Sequence, residues 1–406
     1  MNRRSFLRSA AAASAAVLAR PAVAALPKAK VVRVRIYQPP SLNPIFNQSD
    51  MVVAVETDIG ITGYGEGGSK DLIEQCAGSL IGKDPFRIEA IWQEMYMAFF
   101  YSPGREKIDA LGALDLALWD IKGKALQAPL HQILGGAVRN YCECYPTSGV
   151  GGGGMALKDR AKATIDAGYR AFRMDAAGGT VVDNVFNSRE RVGMVAAACK
   201  EVREGVGKTG DWTIDFHQRF DYADALRCCK LIEEYEPFLV EDPVRDEQFL
   251  EDIPKLRRMT SCPLAAGEEW GQRWDFNRLV ENHDIDYNRC TLPNVGGVTE
   301  FTKVMALCET HAVGMVPHFT GPIATAALVN CLATYPGQVL FEYNYGTRKI
   351  DYLPEYVDFK QGKVYVNERP GLGVTVDLKP LKPLSEVTQP VQRPFYQRPD
   401  GSPSHW

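Results

Sequence analysis

Three acids close successive apolar runs: Ile214-Asp215-Phe216-His217, Leu239-Val240-Glu241-Asp242-Pro243 and Ala265-Ala266-Gly267-Glu268. Asp215 and Glu241 are 26 residues apart and Glu241 and Glu268 are 27 apart, one strand–helix unit each time. Neighbouring strands lie about 4.8 Å apart, so three such carboxylates can converge on one cation. An all-oxygen set with positions left for water and substrate suits magnesium better than zinc. A single strand-end acid commonly caps the next helix; three in register point instead to Mg²⁺ held by Asp215, Glu241 and Glu268. Two of the six histidines belong to the same layout. His217 follows Asp215 by two residues, so strand alternation sends both side chains one way, and His318 ends a later apolar run. An unperturbed pKa of about 6.5 suits imidazole to proton transfer near neutrality.

Such residues need strands that end at one face. Short apolar runs at 142–147, 171–175, 212–217, 238–242, 263–268, 289–293, 314–318 and 338–342 are separated by helix-length segments. Eight runs at this spacing predict a parallel β/α barrel, whose active sites lie at the C-terminal ends of the strands. The glycine-rich stretch 149–154 lacks the strand-to-helix setting of a dinucleotide loop and reads as a loop at the barrel mouth. Before the barrel, alternating segments at 31–37, 51–56 and 64–66 predict a small antiparallel sheet, with a proline-bearing loop at 39–50. Ala110, Ala113, Leu114, Ala117, Leu118 and Ile121 then share one helical face, and Gly135-Gly136 ends that region. The α/β chain divides into a leader (1–25), an α+β capping domain (26–137), the barrel (138–350) and a proline-rich segment returning to the capping domain (351–406).

The 406 residues are ample for this plan. With 45% apolar residues and a formal charge of −4 spread along the chain, nothing marks a nucleic-acid surface. None of the ten cysteines forms a C-x-x-C pair, which argues against zinc ribbons and thioredoxin-type chemistry. At the N-terminus, Arg3-Arg4-Ser5-Phe6-Leu7 precedes an alanine-rich run and the small-residue site Ala22-Val23-Ala24. This pattern predicts twin-arginine export, to the periplasm or beyond, of a protein folded beforehand. The run is too short and too alanine-rich for a membrane span.

The ordered motifs resemble the enolase superfamily, in its mandelate racemase/muconate lactonizing enzyme branch, and most of all its galactonate dehydratase-type sugar-acid dehydratases. The resemblance rests on 117–125 (Ala-Leu-Trp-Asp-Ile-Lys-Gly-Lys-Ala), Gly135-Gly136, the three acid motifs, Gly296-Gly297-Val298-Thr299-Glu300, Pro317-His318-Phe319-Thr320-Gly321-Pro322, Arg369-Pro370-Gly371-Leu372-Gly373 and Trp406. It implies an enolase-like modified TIM barrel with an N-terminal capping domain and Mg²⁺ at the mouth. It also implies removal of the proton α to a carboxylate, made possible by stabilising the enediolate. By the same resemblance His318 is the base, His217 the acid that protonates the departing β-hydroxyl, and Glu342 a group that hydrogen-bonds the substrate. The family commonly forms homo-oligomers.

Two positions depart from that pattern. Thr291 stands where galactonate-type enzymes carry an aspartate that pairs with the base histidine. Arg173 stands where related racemases use a basic lysine; a guanidinium stays protonated near neutrality, so Arg173 suits clamping a substrate carboxylate. The expected function is therefore Mg²⁺-dependent dehydration of an aldonic acid to a 2-keto-3-deoxy acid. The alternatives are an epimerase or racemase acting on a polyhydroxy acid, and a metal-retaining sugar-acid sensor with little turnover.

Overall fold

The computed structural model describes residues 26–40, 51–98, 101, 104–151, 154–176, 186–245, 250–391 and 396–404. The leader, most of the 39–50 loop, Gly152-Gly153 and Trp406 lie outside the described residues. Among the described residues no helix is long and apolar enough to cross a membrane.

The first sheet is antiparallel. Strands β1 (Val31–Gln38), β2 (Val52–Thr57) and β3 (Thr62–Glu66) follow one another. A strand from the far end of the chain, Lys382–Val387, pairs on the other edge of β1. The helix Arg105–Leu126 crosses this sheet. Gly63 and Gly65 of β3 let it approach closely, since a Cβ at either would meet a helix carbonyl oxygen at 2.0 or 1.9 Å.

The barrel is built from β4 (Tyr141–Tyr145), β5 (Ala171–Asp175), β6 (Asp211–Asp215), β7 (Leu239–Glu241), β8 (Leu264–Ala266), β9 (Tyr287–Asn288), β10 (Gly314–Met315) and β11 (Phe341–Glu342). β5 to β10 form one parallel sheet, and β11 pairs in parallel with β4. A bridge from Met315 to Val339 and the bond from Arg170 N to Cys144 O (2.9 Å) close the ring. Seven of the eight predicted runs overlap their strands, most of which are shorter than expected. The eighth is displaced: β9 ends at Asn288, the Arg289 backbone still bonds Ala266 O (3.0 Å) and His318 N (3.3 Å) on either side, and a turn begins at Leu292.

Alternation along the strands fills the barrel. Tyr145, Ala171, Leu239, Ala265, Val316 and Leu340 pack together inside it. Phe172, Ile214, Val240, Leu264 and Met315 point outward and join the large core shared with the helices. All ten cysteines are buried and none forms a disulfide, as expected of small hydrophobes.

Buried acids of the first domain cap helices of the barrel. Asp115 accepts from Thr299 N (3.0 Å) and Thr299 Oγ1 (2.5 Å) at the start of the helix Val298–Thr310. Glu66 accepts from Ile323 N (2.8 Å) and Ala324 N (3.1 Å) at the start of Pro322–Thr334. A carboxylate at a helix N-terminus satisfies orphan N–H groups and matches the helix dipole. Asp120 accepts from Tyr64 N (2.9 Å) and from Leu372 N (3.0 Å), tying the C-terminal segment to the same helix. These contacts give the 117–125, 296–300 and 369–373 motifs a shared purpose: they meet at the seam between sheet, barrel and tail.

Candidate active site

The inward positions near the ends of β4 to β8 carry the polar groups. Arg173 and Asp175 follow Ala171 on its side of β5, Asp215 follows Thr213 on β6, and Glu241 follows Leu239 on β7. β5, β6 and β7 are in register, with Asp175 opposite Asp215 and Asp215 opposite Glu241. Glu268 reaches the same place differently. Counting from Ala265, alternation would turn Glu268 outward, but Gly267 adopts φ +126° and re-aims the chain. A Cβ at Gly267 would also meet the Phe276 ring at 2.6 Å, so the position needs glycine twice over. Asp215, Glu241 and Glu268 are all buried.

His217 arrives by a turn. β6 ends at Asp215, and the strand-alternation argument for His217 is corrected by φ values of +50° at His217 and +58° at Gln218. The His217 N–H folds back to donate to Asp215 Oδ1 at 2.6 Å, an Asx-type turn that holds the left-handed residue. Its Nε2 lies 3.8 Å from Glu268 Oε1, and the side chain is 42% exposed. His318 comes from beyond β10, with Nε2 3.5 Å from Glu268 Oε2 and only 8% of its side chain exposed. The two imidazoles thus face the two oxygens of one carboxylate.

The departure at Thr291 is visible in the bonding. Thr291 Oγ1 and His318 Nδ1 are both buried without a hydrogen-bond partner. The acid nearest the His318 ring is Glu268, approached through Nε2.

Two guanidiniums sit among the acids. Arg173 donates to Asp215 Oδ2 and to the Thr147 carbonyl (3.1 Å), with its Nε 4.0 Å from Glu241. Arg289, which the sequence reading placed only on a strand, is fully buried and donates to Glu241 Oε1 and to Glu342 Oε2 (2.7 Å). Its other Nη reaches Tyr145 Oη (2.7 Å) and the Val316 carbonyl (2.9 Å). Glu342 also accepts from Thr147 Oγ1 at 2.8 Å. The available signal for Arg289 was an arginine two residues before Thr291, on the same side of an otherwise apolar run.

Ionisation follows this packing. Burial raises the Asp215 carboxyl despite Arg173, and raises Glu241 far above the usual range despite Arg289. Burial also opposes ionisation of Glu268, but His318, Arg289 and His217 outweigh it and hold the carboxyl low. Glu342 is buried too, yet Arg289, His318 and Arg173 carry it down to about 2.

Among the described residues no three His, Cys, Asp or Glu side chains already form a coordination shell. The donor set nonetheless fits a hard divalent cation. Glu241 Oε2 is buried with no hydrogen-bond partner. Among the described residues the permanently charged partners of Asp215, Glu241, Glu268 and Glu342 are Arg173 and Arg289, with His217 and His318 beside Glu268. With all four carboxylates ionised, the two guanidiniums leave two negative charges for a divalent cation to answer. A cavity of about 430 Å³ adjoins the site at Thr147, Arg173 and Asp175 and is also lined by Arg160 and Arg191.

Residues 28–135 match the mandelate racemase / muconate lactonizing enzyme N-terminal domain, and residues 156–380 match the enolase C-terminal domain-like family. The D-galactonate dehydratase of Xanthomonas oryzae pv. oryzae (strain PXO99A) is 37% identical over 376 residues, covering 88% of this chain and 96% of that protein. The D-galactonate dehydratase of Pectobacterium atrosepticum is 34% identical over 373 residues, with the same coverage of 88% and 96%. A member of the enolase superfamily from Salmonella Typhimurium superposes with a TM-score of 0.80 at 25% identity, over 88% of this chain and 100% of that one. An enolase from Pantoea ananatis with bound D-gluconate and Mg gives a TM-score of 0.77 at 27% identity, over 86% and 93%.

Proposed function

The chain belongs to the mandelate racemase/muconate lactonizing enzyme branch of the enolase superfamily and is a hydro-lyase, and from that premise we propose that it is a Mg²⁺-dependent dehydratase of aldonic acids. The observation that carries this reading is the pair of imidazoles, His217 and His318, facing opposite oxygens of Glu268 beside Asp215 and Glu241. The gluconate-bound neighbour and the galactonate dehydratases support a sugar acid as the substrate.

In this proposal Asp215, Glu241 and Glu268 hold the metal. Bound Mg²⁺ would supply Lewis-acid stabilisation of the charge that builds on the substrate carboxylate as its α-proton leaves. His318 Nε2, enclosed and directed at the mouth, takes that proton. The electron pair of the broken C2–H bond forms the C2–C3 double bond as the C3–O bond breaks. His217 gives its proton to the departing hydroxyl, which leaves as water, and the resulting enol tautomerises to the 2-keto-3-deoxy acid. Greater exposure suits His217 to this task, because its proton must be replenished from solvent on each turnover. Arg173 places a fixed positive charge beside the incoming carboxylate. Glu342, pinned by Arg289 and Thr147, offers an ionised acceptor to a substrate hydroxyl.

The test is a panel of aldonates assayed for 2-keto acid with Mg²⁺ present and after chelation. Metal-dependent keto-acid formation from one or a few members is expected. Exchange of the α-proton with solvent deuterium and no keto acid would favour epimerisation, and binding with neither signal would leave a sensor.

A further inference from the structure

We infer that Arg289 is a resident counter-cation that lets the acidic barrel mouth fold before any divalent cation arrives. The inference rests on reading Asp215, Glu241 and Glu268 as the cation site. Its side chain has no exposure, and all of its closest polar partners lie on other barrel strands or just beyond them: Glu241 on β7, Val316 past β10, Glu342 on β11 and Tyr145 on β4. Glu268 Oε2 is 3.7 Å away. A carboxylate taken out of water without a counter-charge is strongly unfavourable, and the side chains of Glu241 and Glu342 are each 1% exposed. One guanidinium nitrogen answers both while the other holds Tyr145 Oη and the Val316 carbonyl, a planar spread of donors that a lysine ammonium cannot match.

The same contact divides the two oxygens of Glu241. Oε1 is taken by Arg289, while Oε2 is buried, accepts no hydrogen bond and has Arg173 Nε no closer than 4.0 Å. Arg289 therefore settles the orientation of Glu241 and leaves one oxygen for a cation. A neutral residue at 289 would leave the mouth with three uncompensated negative charges in place of two. The metal-free barrel would then be less stable, and the mouth would hold a cation more tightly because one repelling positive charge is gone. A cation that binds only the folded state would restore stability with the logarithm of its affinity.

The experiment compares the full-length protein with R289Q and R289K, each stripped by chelation and then reloaded with Mg²⁺. Thermal melting, near-ultraviolet circular dichroism and calorimetric titration of Mg²⁺ are the readouts. Stripped wild-type protein should keep its near-ultraviolet spectrum and melt within a few degrees of the loaded form. Stripped R289Q should melt far lower, recover most of the loss with Mg²⁺, and bind Mg²⁺ about tenfold more tightly or better. R289K, which keeps the charge but loses the fork, should fall between the two. An equal loss of melting temperature in R289Q with and without Mg²⁺ would reduce Arg289 to packing alone. Collapse of the wild-type spectrum on chelation would also overturn the inference, and this arm needs no variant to fold. Absence of any Mg²⁺ heat in the wild-type protein would instead sink the metal reading on which the inference rests.

Discussion

Asp115→Asn should flatten the pH dependence of stability, and the expected size follows from the seam. Asp115 is completely buried between the helix Arg105–Leu126 and the start of Val298–Thr310. Burial raises its carboxyl from the ordinary aspartate value to about 7, against the two hydrogen bonds from Thr299 and with the charges of Glu300 and Glu89 adding to the rise. In the unfolded chain the same carboxyl titrates near about 4. Between these values the native state binds a proton that the unfolded state has released, so raising the pH costs stability. The contribution is fully present below about pH 4 and lost as the pH passes 7. A displacement of about three pH units corresponds to about 4 kcal/mol, of which about 3 kcal/mol falls between pH 5 and pH 8. An asparagine cannot ionise, but can still accept from Thr299 N. The stability difference between variant and wild type should therefore move by about 3 kcal/mol in favour of the variant across that window. Urea unfolding followed by tryptophan fluorescence at pH 5, 6, 7 and 8 measures it. Parallel profiles for the two proteins would refute the argument, because they would mean that Asp115 has the same proton affinity folded and unfolded.

Four other outcomes are expected. His318→Asn should lower keto-acid formation by about 10²- to 10⁴-fold while leaving the heat of Mg²⁺ binding intact; full turnover in this variant would remove His318 as the base. His217→Asn should keep α-proton exchange with solvent and lose elimination, and loss of both signals together would show that His217 does more than protonate the leaving group. The ten cysteines should be almost silent to a thiol reagent in the native protein and fully reactive after denaturation, since all are buried. Replacing both Arg3 and Arg4 with lysine should hold the protein in the cytoplasm, as judged by cell fractionation, and unchanged export would dismiss the twin-arginine reading.

Position along the chain revealed the acids more readily than their environment. Asp215 and Glu241 were legible because strand alternation and a one-unit spacing place them on one side of neighbouring strands. Glu268 was legible by spacing alone, and its direction depends on the left-handed turn at Gly267, which no hydrophobic pattern records. His217 was found for a partly mistaken reason: the strand stops two residues earlier than alternation required, and an Asx turn carries the ring to the mouth. Arg289 was missed because an arginine within a predicted strand invites no partner until the strands close into a ring. Its side-chain hydrogen bonds come from 27 to 144 residues away. Such partners are set by barrel closure, a property that local sequence does not carry.

Thr291 and Arg289 are best considered together, as two parts of one charge balance. The family resemblance leads one to expect an acid at 291, two residues along the same side from 289. An acid there, with a neutral residue at 289, would add one negative charge and remove one positive charge, leaving the mouth with four negative charges instead of two. The present arrangement moves the compensating charge inside the barrel, onto Glu241 and Glu342, and leaves His318 to Glu268 for its acidic neighbour. The base then depends on a carboxylate that also belongs to the proposed metal set. Thr291→Asp should consequently separate the two duties. If a carboxylate at 291 takes His318 Nδ1, which now has no partner, kcat should rise or hold while Mg²⁺ affinity changes little. If the site has been rebuilt around Arg289, the added charge should instead tighten Mg²⁺ binding without improving turnover. Measuring kcat and Mg²⁺ affinity in Thr291→Asp alone and combined with Arg289→Gln decides between them. Independent, additive effects of the two changes would refute the idea that these positions form one charge-balanced unit.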